Sequence, residues 1–368
     1  MKIVIFGLTI SSSWGNGHAT LWRALCRALA RRGHEIVFFE KDVPYYAAHR
    51  DFFAIPRGRL HLYSSWESIV RVAAEELRGA DVGLVTSYCP DAPTATELVL
   101  GSSVAASVFY DLDSPVTLER LRAGEEVFYI GPRGLSDFDL VLSYAGGKAI
   151  DELRDRLGAR RVTPIYGSVD PEVHRPAPPL EYCAADLSYL GTYATDRQDA
   201  LERLFIEPAR RLPNLRFLIA GAQYPEDFPW TTNIFFVRHL PPSEHPGFFS
   251  SCSLTLNVTR SAMAEMGYCP SGRLFEAAAC GAPILSDDWE GLDTFFAPGE
   301  EILIARDTGD AIDALKLPRE ELSRIARNAR ERVLDEHTSD RRGLELERAL
   351  ERVFDTPPSV SATGCSAT

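Results

Sequence analysis

Short apolar runs alternate with helix-period segments along nearly the whole chain. Lys2–Leu8 is continuously apolar and reads as a strand buried on both faces. A polar, glycine-rich stretch from Thr9 to Gly17 follows. Leu21, Trp22, Leu25, Ala28 and Leu29 then recur at helical spacing, and Arg31-Arg32-Gly33 supplies a stop. Glu35–Phe39, Val82–Thr86, Val104–Tyr110 and Phe138–Ser143 continue the strand series, with helical stretches such as Glu67–Leu77 and Lys148–Leu157 among them. The second half repeats the architecture without repeating the sequence. Its strand candidates are Leu187–Leu190, Arg216–Ala220, Ile234–Val237, Ser253–Asn257, Pro283–Leu285 and Ile302–Ala305. Helix candidates Arg197–Leu212, Gly272–Cys280 and Asp310–Leu315 lie between them, and two charged helices, about Arg319–Leu334 and Ser339–Val353, follow. Such alternation predicts mostly parallel sheets with helices on both faces. The expected fold class is therefore α/β, with two facing Rossmann-like lobes and C-terminal helices.

The proline-rich segment Ser168–Leu180 marks the boundary, because prolines favour an extended, stiff connection. The expected division is a first lobe over residues 1–166, a linker over 167–180, a second lobe with closing helices over 181–354, and a Pro/Ser/Ala/Thr-rich disordered tail over 355–368. A length of 368 residues suits two domains. Hydrophobic residues at 45% are ample for a core in each, which excludes wholesale disorder. No apolar run is long enough to span a membrane, and the apolar N-terminus is too short for a signal peptide. Seven scattered cysteines, with no C-x-x-C pair, read as free thiols in a reducing cytoplasm. A formal charge of −13 disfavours nucleic acid as the main partner. The arginines of the last two helices interleave with Glu320, Glu321, Glu331, Glu345, Glu347 and Glu351, which points to ion pairing on a solvated face.

In open α/β sheets ligands sit at the carboxyl ends of the strands, so functional motifs should follow strands. The strongest constellation is Cys269-Pro-Ser-Gly-Arg-Leu-Phe-Glu276, continuing to Pro283. Ser271 is a plausible N-cap, Gly272 and Arg273 open a helix, and Gly281 with Pro283 ends it. A helix N-terminus suits a diphosphate, and Gly272 lets phosphate approach the backbone. Glu276 lies on the same helix face and can accept hydrogen bonds from sugar hydroxyls, although an ordinary capped helix with a surface Glu fits the spacing equally well.

The run Ser271-Gly-Arg-Leu-Phe-Glu-Ala-Ala-Ala-Cys-Gly-Ala-Pro-Ile-Leu-Ser286 resembles the donor-site signature of the two-lobed (GT-B) glycosyltransferases. It is related to the group 1 glycosyltransferases and, more narrowly, looks like the CgeB-like branch, named after a spore-maturation protein. Ile165-Tyr-Gly-Ser-Val-Asp170 with His174-Arg-Pro176 is similar to that family's crossing into the second lobe, and Ser188-Tyr-Leu-Gly-Thr-Tyr193 with Arg197 to the lobe's first strand and loop. The resemblance implies a second lobe that binds a nucleotide-diphosphate sugar, with Arg197, Tyr268, Ser271, Gly272, Arg273, Leu274 and Glu276 on the donor. Arg197 and Arg273 would neutralise the leaving diphosphate, which guanidinium suits because it forks onto phosphate oxygens. One departure stands out: retaining relatives carry a second glutamate eight positions before the one matching Glu276, where this chain has Tyr268.

The loop Ser11–His18 follows the first strand, and Gly15 and Gly17 allow a tight turn beside a ligand. The full G-x-G-x-x-G pattern is absent, which argues against NAD. In glycosyltransferases of this shape the loop faces the reacting sugar, so His18 could serve as general base or as a donor to the diphosphate; a helix-capping histidine is the bland alternative. Asp111 and Asp113 end another strand. Such an Asp-x-Asp could hold Mg²⁺, but with a donor lobe in hand both read as acceptor-contacting or catalytic carboxylates, or as the cap of a helix before Pro115. The expected reaction is metal-independent sugar transfer with no cofactor beyond the nucleotide sugar and with an unidentified acceptor. Two alternatives remain: a non-catalytic sugar or nucleotide binder, and an epimerase or phosphorylase on the same scaffold. A phosphorylase should place a lysine for its cofactor, and the lysines here, Lys2, Lys41, Lys148 and Lys316, all lie outside the donor motif.

Overall fold

The computed structural model describes residues 1–355, so the expected tail lies outside the described residues except for Asp355. The first sheet has seven strands: β1 Lys2–Gly7, β2 Glu35–Lys41, β3 Gly58–Tyr63, β4 Val82–Thr86, β5 Ala106–Asp111, β6 Leu140–Ser143 and β7 Val162–Pro164. Their order is β3-β2-β1-β4-β5-β6-β7, and every pairing is parallel, with Ile3 opposite both Ile36 and Val82. The central strands are apolar throughout because helices cover both faces. Ile3, Val4, Ile5 and Phe6 are almost wholly buried. The second sheet holds β8 Ala185–Leu190, β9 Phe217–Ala220, β10 Ile234–Val237, β11 Cys252–Asn257, β12 Ile284–Ser286 and β13 Leu303–Ile304. Its order is β10-β9-β8-β11-β12-β13, again all parallel. In each sheet the strand order reverses at the first strand, between β1 and β4 and between β8 and β11. A ligand crevice is expected at such a switch point.

The expected helix Arg197–Leu212 forms as a broken one. A 3₁₀ turn at Thr195–Arg197 leads into Gln198–Leu201, a wide π turn spans Glu202–Ile206, and the last piece ends at Arg211. Pro208 explains the break, since it lacks the amide needed to continue the regular ladder. The charged helix Arg319–Glu336 is laced by ion pairs such as Arg332–Glu336 at 2.7 Å and Arg324–Glu321 at 2.8 Å, the solvated face expected from its composition.

Two boundary expectations are corrected. The helix Ser339–Phe354, expected to close the second lobe, packs on the first. Leu346, Ala349, Leu350 and Val353 join the cluster formed by Ile3, Leu25, Leu29 and Ile36, and Arg31 pairs with Asp340 at 3.0 Å. The chain therefore crosses between lobes twice, and the crossings lie side by side. The Val169 amide donates to His337 O at 3.0 Å and the Ser339 amide to Val169 O at 2.8 Å. The prolines of the expected 167–180 linker do not span the gap. Beyond Asp170 the segment lies on the second lobe, where the amides of Ala177 and Leu180 donate to Ser250 Oγ and Ser251 Oγ.

Candidate functional site between the lobes

The loop after β1 is built by one buried carboxylate. Glu40, fully buried near the end of β2, accepts from the Thr9 hydroxyl (2.8 Å), the Ile10 and Ser11 amides (2.8 and 2.9 Å) and the Ser11 hydroxyl (2.5 Å). That holds the chain in a fixed turn before the helix Gly17–Arg31. Gly15 takes a left-handed φ of +60°, and Asn16 caps the helix by accepting the His18 amide at 3.0 Å. Trp14 stacks on His49, with ring centroids 3.9 Å apart, and meets His239 of the second lobe at 4.3 Å.

His18 lies at the start of this helix, its Nε2 3.4 Å from Asp113 Oδ2. Its Nδ1 is buried without a partner. The carboxylate fixes which edge of the imidazole faces away from it, the geometry that a general base and an orienting acid require. Asp113 precedes the helix Ser114–Arg122 but makes no side-chain cap bond, which leaves its carboxylate for His18. Asp111 differs from the sequence expectation. It is fully buried, and its Oδ1 accepts from the Thr117 hydroxyl and the Asp113 amide, both at 3.1 Å. It shapes the turn that presents Asp113, and its side chain is closed off from solvent. Burial pushes its pKa up to about 6.

In the second lobe, Ser271 Oγ accepts the Arg273 amide at 3.3 Å and caps the helix Gly272–Ala279 as expected. Arg273 Nη1 donates to Glu276 Oε2 at 2.8 Å. Burial alone would raise the Glu276 pKa, but the Arg273 guanidinium together with the His174 and His245 rings outweighs it, and the carboxyl stays below its ordinary value. Arg197 reaches Thr192 O at 3.2 Å, and its Nε is buried without a partner. Arg197 and Arg273 both oppose the upward shift that burial gives the Tyr189 hydroxyl, so the two guanidiniums flank that residue.

One expected donor contact is corrected, and a second expected donor residue has a packing role. Leu274 is fully buried in the second lobe's core, so its side chain faces away from the cleft. Tyr268 is a wedge between lobes. It holds a left-handed φ of +46°, its carbonyl accepts the Gly146 amide of the first lobe at 2.9 Å, and its ring fills the space that a Cβ on Gly147 or Gly291 would need.

The two halves meet around Tyr144. Its hydroxyl lies 3.8 Å from where a Gly272 Cβ would be. Burial first, and then charges including Asp113 of one lobe and Glu276 of the other, raise its pKa. Arg260 pairs with Asp196 at 3.0 Å. Burial works against its charge, but the carboxylates of Asp196 and Asp113 outweigh it, so this second-lobe cation faces the first-lobe acid. His18, Asp113, Tyr144, Arg260, Gly272, Arg273 and Glu276 thus gather at the carboxyl ends of both sheets. A cavity of 550 Å³ lined by Leu121, Val127, Arg133 and Gly158 touches none of them.

Sequence reasoning missed Glu40, Tyr88, His239 and Arg260. Glu40 had a signal, a carboxylate closing an otherwise apolar strand. Tyr88, whose ring lies 5.8 Å from that of His18, holds a φ of +61° that no local pattern announces.

Residues 197–348 match the family described as glycosyl transferase-like. The fold is that of the GT-B glycosyltransferases. Sucrose-phosphate synthase from Thermosynechococcus elongatus superposes with a TM-score of 0.71 at 13% identity, over 96% of this chain and 99% of that one. The Anabaena protein Alr3699/HepE in complex with UDP and glucose gives 0.64 at 13% identity, over 96% and 100%. An alpha-glucosyltransferase in complex with UDP-glucose and DNA containing an abasic site gives 0.65 at 12% identity, over 95% and 99%. A search of curated protein sequences found no significant match. The GT-B likeness extends over nearly the whole chain, while the sequence match begins at Arg197 and takes in the capped helix Gly272–Ala279. No helix among the described residues is long and apolar enough to cross a membrane.

Proposed function

We propose that this GT-B enzyme moves a sugar from a nucleotide-diphosphate sugar to an acceptor held by the first lobe, as a member of the CgeB-like branch working in the cytoplasm. The observation that carries the reading is the opposition of two groups across one cleft: a capped helix start bearing Arg273 and Glu276, and the His18–Asp113 pair. The diphosphate rests at the Gly272 helix start, where the backbone dipole favours negative charge. Arg197 and Arg273 take up the charge that grows on the leaving phosphate, stabilising the transition state more than the bound donor. Glu276 accepts a sugar hydroxyl, and His18, oriented by Asp113, withdraws the acceptor proton. With cationic groups already at the diphosphate, the reaction needs no metal. Two structural neighbours were solved with UDP and glucose or UDP-glucose, which makes UDP the first nucleotide to try. Six unpaired cysteines among the described residues fit a reducing compartment.

The test is a thermal-shift screen with UDP, GDP, dTDP, CDP and ADP in EDTA. One of them should raise the Tm, since a ligand at 100 times its Kd adds about 2.7 kcal/mol. Arg273→Ala and Glu276→Ala should each abolish that shift. Stabilisation by none of the five sinks the proposal. The position of Tyr268, a wedge where retaining relatives carry a carboxylate, favours one second reading, a nucleotide binder without turnover. Binding with no nucleotide released from any donor would select it.

A further inference from the structure

His174, His245 and Glu276 belong to three segments far apart in sequence: the stretch leaving the first crossing, the start of the helix His245–Ser250, and the donor helix. Their donor atoms nevertheless all lie within 4.8 Å of one another. His174 Nε2 is 3.9 Å from Glu276 Oε1, and His245 Nδ1 is 3.9 Å from Oε2. Each side chain is less than a tenth exposed. Neither ring nitrogen of His174 has a hydrogen-bond partner. A neutral imidazole carries one N–H and one lone pair, so this buried ring is left with both unmatched beside a carboxylate. His245 presents the complementary form. Arg273 Nη1, 3.4 Å from Nδ1, can only donate, so Nδ1 carries the lone pair.

We infer that His174 Nε2, His245 Nδ1 and Glu276 Oε1 bind one divalent transition-metal ion of the zinc class. Two imidazoles and one carboxylate form a borderline donor set that suits zinc and discriminates against magnesium and calcium, which demand oxygen. Zinc holds each donor at about 2.0–2.2 Å, and the three residues, whose donor atoms already lie within 4.8 Å of one another, can close on one ion by turning inward. Arg273 opposes the ion by like charge. It holds the other carboxylate oxygen, Oε2, and its side chain is 29% exposed, so it can remain as an outer partner or turn to solvent. The ion and the nucleotide sugar both claim Glu276 and therefore exclude one another. The site itself stands independently of the transfer reading.

The full chain, stripped with EDTA, is dialysed against Zn²⁺ and assayed for bound metal, and separately titrated with Co²⁺ while its visible spectrum is followed. One tightly held ion per chain is expected, with a Co²⁺ d–d band of low coordination number. His174→Ala and His245→Ala should each lose it. Arg273→Ala, which cripples nucleotide binding if the donor rests on that helix, should instead tighten zinc by about tenfold or more, since it removes a nearby positive charge. Substoichiometric uptake by the unsubstituted chain, or uptake unchanged in the histidine variants, overturns the proposal. Should those variants fail to fold, the Co²⁺ spectrum of the unsubstituted chain decides, and absence of the band overturns it.

Discussion

Asp111 carries a carboxylate to a place with no exposure and only one of its oxygens partnered. Its pKa is raised by burial from 3.8 to about 6. The sign follows from linkage: the folded state holds the proton more tightly, so the contribution is fully present below pH 3.8 and is lost as pH rises through about 6. Asp111→Asn removes this penalty. Its stability relative to the unsubstituted chain should therefore rise between about pH 4.5 and 7.5 by about 2 kcal/mol, because each tenfold change in proton affinity is worth about 1.4 kcal/mol. Denaturant melts at both pH values read it. A flat difference would mean that Asp111 is not the titrating group. His18→Ala acts on chemistry instead. It should lower kcat by about 10²–10⁴-fold and leave the nucleotide-induced Tm shift intact, whereas a lost shift would place His18 on the donor. At this scale legibility follows sequence distance. Ser271, Gly272, Arg273 and Glu276 are neighbours on one helix, so cap, opening and acid can be read from spacing. The nearness of His174, His245 and Arg260 depends on tertiary packing, and no local pattern carries it. Leu274 and Tyr268 depart from expectation because a motif marks positions, while burial decides which side chains face out.

Among elements, strands buried on both faces are the easiest to read, because burial demands uninterrupted apolar sequence. β3 escapes because it is an edge strand whose half-exposed residues mix polar with apolar. β7 escapes because it is three residues long and ends in proline. The helix Ser339–Phe354 is legible as a helix but not as to its lobe, since an amphipathic stripe names a buried face and not the partner that buries it. Leu350, 1% exposed, lies in the first-lobe core. Leu350→Ala should cost about 2–5 kcal/mol. Hydrogen exchange should then speed up in β1 more than in β9, and the reverse order would return this helix to the second lobe. The preceding crossing carries an acid sensor. His337 stacks on Phe275 and takes a bond from Arg342 Nη2 at 2.8 Å. Burial, with Arg342 beside it, lowers its pKa from 6.5 to about 3. A depressed histidine is protonated first in the unfolded chain, so stability is lost as pH falls from 6.5 towards 3. His337→Asn keeps an acceptor for Arg342 and should flatten that loss in melts between about pH 7 and 4.

For the whole molecule, the two-lobed architecture is legible and the way the lobes are tied is not. Sequence suggests one stiff proline linker. The structure has two crossings paired through backbone bonds, a tyrosine wedge, and the exposed Lys148–Glu290 pair at 2.7 Å. The last should matter little, since exposed pairs contribute about 0–1 kcal/mol. Lys148→Ala is expected to leave the solution radius of gyration unchanged, and Tyr268→Ala to alter it by freeing the first lobe from Gly291. Equal behaviour of the two variants in X-ray scattering would mean that Tyr268 does not hold the lobes in place.

The return of the last helix to the first lobe also orders events in time. A ribosome delivers β1 well before Leu350, so the apolar flank of Ile3, Leu25 and Leu29 stays uncovered until the whole second lobe and the helix after it have emerged. The second lobe can close its own core earlier than the first, inverting the usual N-to-C order of domain completion during synthesis. Nascent chains stalled before Ser339 should accordingly recruit chaperones through their opening segment.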